Sequence, residues 1–298
     1  MAQINFLADF KEIITQELCS LGHPPKYEED LDTVLTRYLN FSLRIPPTIV
    51  WTVKQSKELA NKNIPQEITL GLQEFIEKAE SGQILKPYLS TQSDNPNYKD
   101  LMFYDWGIFH FHLGTNPHPK RQGFVERTDD LLFAIAHSHT ARMYLIDIHP
   151  HRGGFTNQDL LRILEENWPE IIEPYALKGV DGLTYNASDR DIDSLRKASI
   201  NTVLQTPGGR LLIPMGGGIT GAGTSINIGR EADRIITNVC QLEDFFIQQR
   251  DTIAVYFNDK YANNWDCLKF KVKSFEAPVK IEEITTGEIV ELHGLGRR

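Results

Sequence analysis

The chain has 298 residues, a formal net charge of −9 at pH 7, and 41% hydrophobic against 24% charged residues. This is an ordinary globular composition, with ample material for one large domain or two modest ones. The acidic balance argues against non-specific nucleic-acid binding over the whole surface, because phosphate affinity rests on Lys and Arg.

No apolar run approaches the roughly 20 residues that span a bilayer. The first residues lack the basic start and apolar run of a signal peptide. Cys19, Cys240 and Cys267 are too widely spaced for a disulfide framework or a zinc motif. A cytoplasmic protein without a membrane partner is expected.

In chain order, apolar residues at three- and four-residue steps predict an amphipathic helix over 4–21, stopped by Gly22 and Pro24-Pro25. A second helix runs from about Glu28 to Phe41. Thr48–Val53 reads as a short β segment, and a third helix starts at Pro65 and continues to about Ser81. Residues 1–90 are thus expected to be a helical region, packed as a layer on a sheet or binding a protein partner. Ser90–Tyr98 is polar, holds Pro96, and marks a loop and a boundary.

Trp106–Leu113 reads as a strand ending in His110-x-His112. A Pro/Gly loop with His118, Lys120 and Arg121 follows. Asp130–Ala136 is apolar throughout, as expected of a strand covered on both faces. His137–Thr140 turns into Met143–His151, a second strand ending in histidines. Strand, loop, strand, tight turn, strand is an antiparallel meander. A helix over Asn157–Trp168 completes the middle region, 91–175.

From 176 to 298 the pattern is again α+β. It has a short helix over Asp189–Ala198, a strand over Arg210–Met215, the glycine-rich Gly216–Gly223 and a returning strand over Thr224–Ile228. A helix over Glu231–Gln249 follows, then β segments over Thr252–Phe257, Leu268–Phe275 and Glu288–Leu292. The expected fold class is α+β: an antiparallel sheet core with an N-terminal helical layer and a C-terminal α+β region.

Seven of the nine histidines lie between His110 and His151. Side chains alternate along a strand, so His110 and His112 share a face with Ile108, opposite Phe109, Phe111 and Leu113. By the same parity Asp147, His149 and His151 share one face of the second strand, and Tyr144, Ile146 and Ile148 the other.

Two chemistries suit such residues. His110, His112, His149 and His151, with Asp147 as ligand or as partner to a histidine N–H, form a candidate set for zinc, iron or manganese. That set would serve a metal-dependent hydrolase or oxygenase. It resembles the strand His-x-His of cupins, without the glutamate that follows in that family.

The favoured reading needs no cofactor. Two histidines and a cation suffice to cut a phosphodiester: one imidazole takes the proton of the 2′-hydroxyl, another protonates the leaving oxygen, and a cation holds the non-bridging oxygens. An unperturbed pKa of ~6.5 lets histidine play both parts near neutrality. His110, His112, His149 and His151 are the candidates for proton transfer. Arg127, Lys120 and Arg152 are the candidates for phosphate.

The succession Arg127-Thr-Asp-Asp-Leu-Leu-Phe-Ala-Ile-Ala136, then Tyr144-Leu-Ile-Asp-Ile-His149, then Arg152 and a helix, resembles the core of RelE-type toxins over residues 105–165. The resemblance implies a helix-flanked β-sheet, endoribonuclease activity on RNA and a toxin or defence role. It implies that Arg127 binds phosphate and that His149, His151 and Arg152 replace that family's basic cleavage residues. The chain departs from the family in its length, its acidity and its lack of a closing Lys/Arg-rich segment. Those departures leave ribosome binding outside what carries over.

A non-enzymatic partner-binding protein with merely exposed histidines is the third reading. Gly216–Gly223 matches neither the P-loop nor the dinucleotide fingerprint. It reads as a flexible hairpin, with an anion-binding flap helped by Thr224 and Arg230 as the functional alternative. Lys269, Lys271 and Lys273 alternate along one strand and are read as a defence against edge-to-edge pairing, with a row tracking a nucleic-acid backbone, together with Phe270, as the alternative.

Overall fold

The computed structural model describes residues 4–26, 28–180, 182–256, 265–275 and 278–293. The class is α+β, as expected. The chain folds into two compact units, Asn40–Ile228 and a unit built from Met1–Leu39 together with Gly229–Arg298. The boundaries expected near 90 and 175 both fall inside the first of these.

At the centre of the Asn40–Ile228 unit is a four-stranded sheet. Its strands are β1 (Thr52–Gln55), β2 (Phe109–His112), β3 (Asp130–His137) and β4 (Arg142–Pro150), arranged β1-β4-β3-β2. The expected antiparallel meander is β2-β3-β4, whereas β1 lies parallel to β4. The sheet is therefore mixed rather than purely antiparallel.

One face, carrying Phe109, Phe111, Leu132 and Leu145, packs against the helix Gln66–Glu80 through Ile68, Leu72 and Phe75. A Cβ at Gly71 in that helix would lie 1.8 Å from the Leu113 carbonyl oxygen, so only glycine permits the approach. The other face carries Ile108, Leu131, Phe133 and Ile146. It packs against the helix Asp159–Asn167 through Leu160, Leu161 and Leu164.

Three local departures from the expected pattern shape the histidine region. First, Trp106–Leu113 is not one strand. Leu101–Trp106 is a helix, capped by the Asp100 carboxylate, which accepts from Phe103 N–H at 3.1 Å, and closed by Gly107 at φ 69°. Only Phe109–His112 enters the sheet.

Second, β4 carries a bulge. Asp147 pairs with Phe133 but Leu145 pairs with Ala134, which leaves Ile146 as the extra residue. Tyr144 and Ile146 therefore share the core of Phe133, while Leu145 and Ile148 join the opposite core. Strict alternation placed Tyr144, Ile146 and Ile148 together opposite Asp147 and His149. The bulge leaves only Ile148 there. Third, His151 lies beyond the end of β4, in the helical turn His151–Gly154.

The returning strand expected over Thr224–Ile228 is the start of the helix Ile226–Gln248, preceded by a single bridge between Ile219 and Ser225. Arg210–Met215 supplies only β6 (Leu211–Leu212), which pairs with β5 (Leu204–Gln205).

In the unit of Met1–Leu39 and Gly229–Arg298, the helix Phe6–Ser20 and the helix that ends at Gln248 share a core. Phe6 meets Phe246 edge-on, with ring centroids 5.2 Å apart. An antiparallel sheet runs β7 (Phe270–Ser274), β8 (Val279–Glu283), β9 (Glu288–Leu292). The sequence pattern did not anticipate β8.

The segment read as β from Thr252 onward is the helix Arg250–Tyr256, with Phe257 outside the described residues. Its β-branched Thr, Ile and Val only weakly disfavour a helix. Two of the lysines on the edge strand β7 are ion-paired. Lys271 pairs with Glu12 at 2.7 Å and Lys273 with Glu282 at 3.0 Å, and Val272 N–H donates to the Asp9 carboxylate at 2.9 Å. Among the described residues, no helix is long and apolar enough to cross a membrane.

Candidate active site

The register across β2, β3 and β4 aligns His110 with Phe133 and Asp147, and His112 with Leu131 and His149. Residues on β2 and β4 thus stand two strand spacings apart, roughly 10 Å at the backbone. Phe155 packs in this region. Its ring centroid is 4.9 Å from His110, 5.1 Å from His151 and 6.0 Å from Phe133. Gly154 lies against Phe133, where a Cβ would come within 2.8 Å of the ring.

On β4, Asp147 and His149 form a hydrogen-bonded pair. His149 Nε2–H donates to Asp147 Oδ2 at 3.0 Å, and Lys62 Nζ donates to the same oxygen at 2.8 Å and to the Ile148 carbonyl at 2.6 Å. Asp147 Oδ1 accepts from Ile148 N–H at 2.8 Å. Burial acts to raise the Asp147 pKa. The hydrogen bonds from His149 and Lys62 outweigh it, and the carboxylate stays below its usual range. With Nε2 committed to Asp147, Nδ1 is the His149 nitrogen left for proton transfer. Asn157 Nδ2 stands 3.4 Å from both ring nitrogens, beside the ring.

On β2, His110 and His112 are buried rather than presented on an open face. Burial lowers the pKa of both. For His112, with Arg127 and His110 adding to the effect, the value falls from the usual 6.5 to about 3. Both rings are therefore neutral at physiological pH. His112 Nδ1 is 3.2 Å from both the N–H and the carbonyl of Thr128, so either neutral tautomer finds a backbone partner. His110 Nδ1 and His112 Nε2 have no hydrogen-bond partner among the described residues.

Arg127, Lys120, Arg121 and Arg152 are exposed, and none is held in an ion pair among the described residues. Arg127 is near enough to depress the pKa of both His110 and His112. His118, His137 and His139 stand apart from this arrangement. His118 Nδ1 accepts from the N–H groups of Lys120 and Arg121 and closes their turn. His137 packs edge-on to Tyr144, and His139 is exposed.

The support of the site was not anticipated from the sequence. Arg196 is buried, donates to Asp105 at 2.7 Å and to the Phe155 carbonyl, and lies 4.1 Å over the Trp106 ring. Gly216–Gly223 grips the same helix end, with Gly216 N–H on the Asp105 carbonyl and Gly218 N–H on that of Tyr104. A Cβ at Gly216 would lie 2.3 Å from the Phe103 carbonyl oxygen. These contacts make the loop a clasp on Leu101–Trp106, and its engaged N–H groups are not offered to an anion.

Sequence reading also missed Lys62, Asp100, Phe155 and Asn157. Asp100 had a signal, an N-cap residue before an apolar run. Lys62 had none, since it reaches Asp147 from 85 residues away.

Among the described residues, no three His, Cys, Asp or Glu side chains group closely enough to share one ion. His110, His112, His149, His151 and Asp147 are thus not brought together as a ligand set. No family model, curated protein or solved structure matches the chain.

Proposed function

We propose that the histidine face performs acid–base cleavage of a phosphodiester, with RNA as the substrate class. The His149–Asp147 pair carries the reading. A carboxylate on one imidazole nitrogen orients the ring, fixes its tautomer and stabilises the imidazolium that forms when the other nitrogen takes a proton.

His149 exchanges that proton at Nδ1, and neutral His110 on β2 completes the acid–base couple. His151 brings a further imidazole beside Phe155, and Arg127, Arg152 and Lys120 supply positive charge for the phosphate, which suits their having no acidic partners among the described residues. His110 lies beside Phe155, so substrate reaches it by displacing that ring. Gly153, at φ 89°, gives the segment a glycine on which to turn. The likeness of the succession Arg127, β3, β4, Arg152 and the helix Asp159–Asn167 to RelE-type toxins belongs to the same proposal.

The test is cleavage of a fluorescent RNA oligonucleotide in the presence of chelator. We expect cleavage there, with His149→Ala and His110→Gln each lowering kcat/KM by about 10²- to 10⁴-fold while the fold persists. Full activity in His149→Ala, or no cleavage by the wild type, overturns the proposal. Metal analysis of untagged protein runs alongside. Near-stoichiometric zinc, iron or manganese that is lost in His110→Gln/His149→Ala would move the function to a metal-dependent enzyme using the same residues.

A further inference from the structure

A second carboxylate–imidazole pair lies on the β2 side of the site. A cavity of about 20 Å³ is bordered by Arg44, Ser90, Ser93, Tyr98, Asp100 and His110. Two of its bordering polar atoms, Ser93 Oγ and His110 Nδ1, make no hydrogen bond among the described residues. Both belong to buried residues, 5% and 8% exposed. Buried polar atoms are rarely left without a partner, and two that border one small cavity point to something between them.

The volume identifies the class of occupant. A water molecule needs roughly 10–15 Å³ of such space and two to four polar partners, so this cavity has room for one water. An ion is disfavoured. Arg44 and Asp100 border the cavity with opposite charge, so together they offer no net charge to draw an ion of either sign.

Asp100 sits at the junction. Its Oδ1 accepts from Phe103 N–H at the start of the Leu101–Trp106 helix, and its Oδ2 stands 3.8 Å from His110 Nδ1. That distance is too long for a direct hydrogen bond and short enough for one water to touch both atoms.

The polarity of the pair fixes the proton. Asp100 can only accept, so the water donates to Oδ2. A carboxylate on the Nδ1 side of the ring favours the proton at Nδ1, which then donates to the water, while the second water hydrogen turns to Ser93 Oγ. Arg44, Tyr98, Tyr104, Arg127, His112, His151 and Arg196 are the other charged or titratable groups acting around Asp100 and His110.

We infer that this cavity binds one water linking Ser93, Asp100 and His110, and that the link holds His110 in the Nδ1–H tautomer, with Nε2 free to accept a proton. Asp100 is then a positioning residue. Within the acid–base reading proposed above, on which only this use depends, His110 is the base and His149, held by Asp147, is the proton donor.

The tautomer can be read without substrate. Long-range ¹H–¹⁵N spectra of the uniformly labelled full chain report which nitrogen of each imidazole is protonated. The His110 signals are those that vanish in His110→Gln. We expect protonated Nδ1 and unprotonated Nε2 in the wild type.

Asp100→Asn keeps a good helix cap and should move the tautomer ratio toward Nε2–H by about tenfold, the scale of one pKa unit. Ser93→Ala should move it the same way by less. An Nε2–H tautomer in the wild type, or a ratio indifferent to Asp100→Asn, overturns the inference. The expected tautomer without RNA cleavage would sink the phosphodiesterase reading and leave this one standing. Cleavage with the opposite tautomer would do the reverse.

Discussion

His112 shows how burial decides a charge state and, through it, the response of the molecule to acid. Its pKa is about 3 in the folded chain against the usual 6.5, so between these values the unfolded chain binds a proton that the folded chain does not. Stability therefore rises with pH across that window. It is complete above about pH 6.5 and is lost as the pH falls toward 3. His110, depressed for the same reason, adds a term of the same sign. We expect denaturant midpoints to drop between pH 6.5 and 4, and to drop less steeply in His112→Gln. An unchanged slope in that variant would show that the ring is not the source.

Asp147 acts oppositely in kind. It is a carboxylate held ionised by His149 and Lys62, and Asp147→Asn removes the charge that both partners address. We expect the substitution to cost about 1–3 kcal/mol of stability, read from urea unfolding, and to lower RNA cleavage along with it.

At the scale of elements, the helix Gln66–Glu80 lies so close to the sheet that Gly71 has no room for a methyl group beside the Leu113 carbonyl. Helix propensity alone would make Gly71→Ala stabilising by about 1 kcal/mol. The contact should reverse the sign, to a loss of about 1–3 kcal/mol, and chemical denaturation distinguishes the two. On the other sheet, Asp9 occupies the Val272 N–H of the edge strand β7. Asp9→Ala should free that edge, and light scattering should then show concentration-dependent association that the wild type lacks.

The strand parity of His110 and His112 was legible because β2 is regular over its four residues. That of β4 was only half legible, because no residue type announced the bulge at Ile146. Leu101–Trp106 was not read as a helix, because six mostly apolar residues carry too little periodicity to announce one. The caps Asp100 and Gly107 were the usable signals. Thr252–Tyr256 misled through β-branched composition, which disfavours a helix only weakly.

At the scale of the whole molecule, the candidate site lies within Asn40–Ile228. A fragment of residues 40–228 should therefore fold alone and keep the His149–Asp147 pair, observable as a His149 ring signal matching that of the full chain. A fragment that fails to fold would show that the unit depends on the remainder. The division into units was not legible. Sequence boundaries were sought where composition changes, near 90 and 175, whereas the second unit is made by residues 1–39 meeting 229–298. Such a meeting leaves no local trace. Phe6 on Phe246 and Phe10 on Phe275 are ordinary helix and strand residues until they are seen together.

That pairing of distant segments also orders events on the ribosome. The unit of Asn40–Ile228 has all its residues once the ribosome has passed 228. The helix Phe6–Ser20 is made almost first, yet its Phe6, Phe10, Ile14 and Leu18 stripe waits for aromatic partners at 246 and 275. At 5–20 residues per second the wait is roughly ten seconds to a minute. For that interval the nascent chain carries a helix-length stretch of uncovered apolar surface ahead of a domain that is already folding. A chain released or slowed before residue 275 would keep it, and its earliest residues, remote in sequence from the histidine cluster, would decide whether it stays in solution.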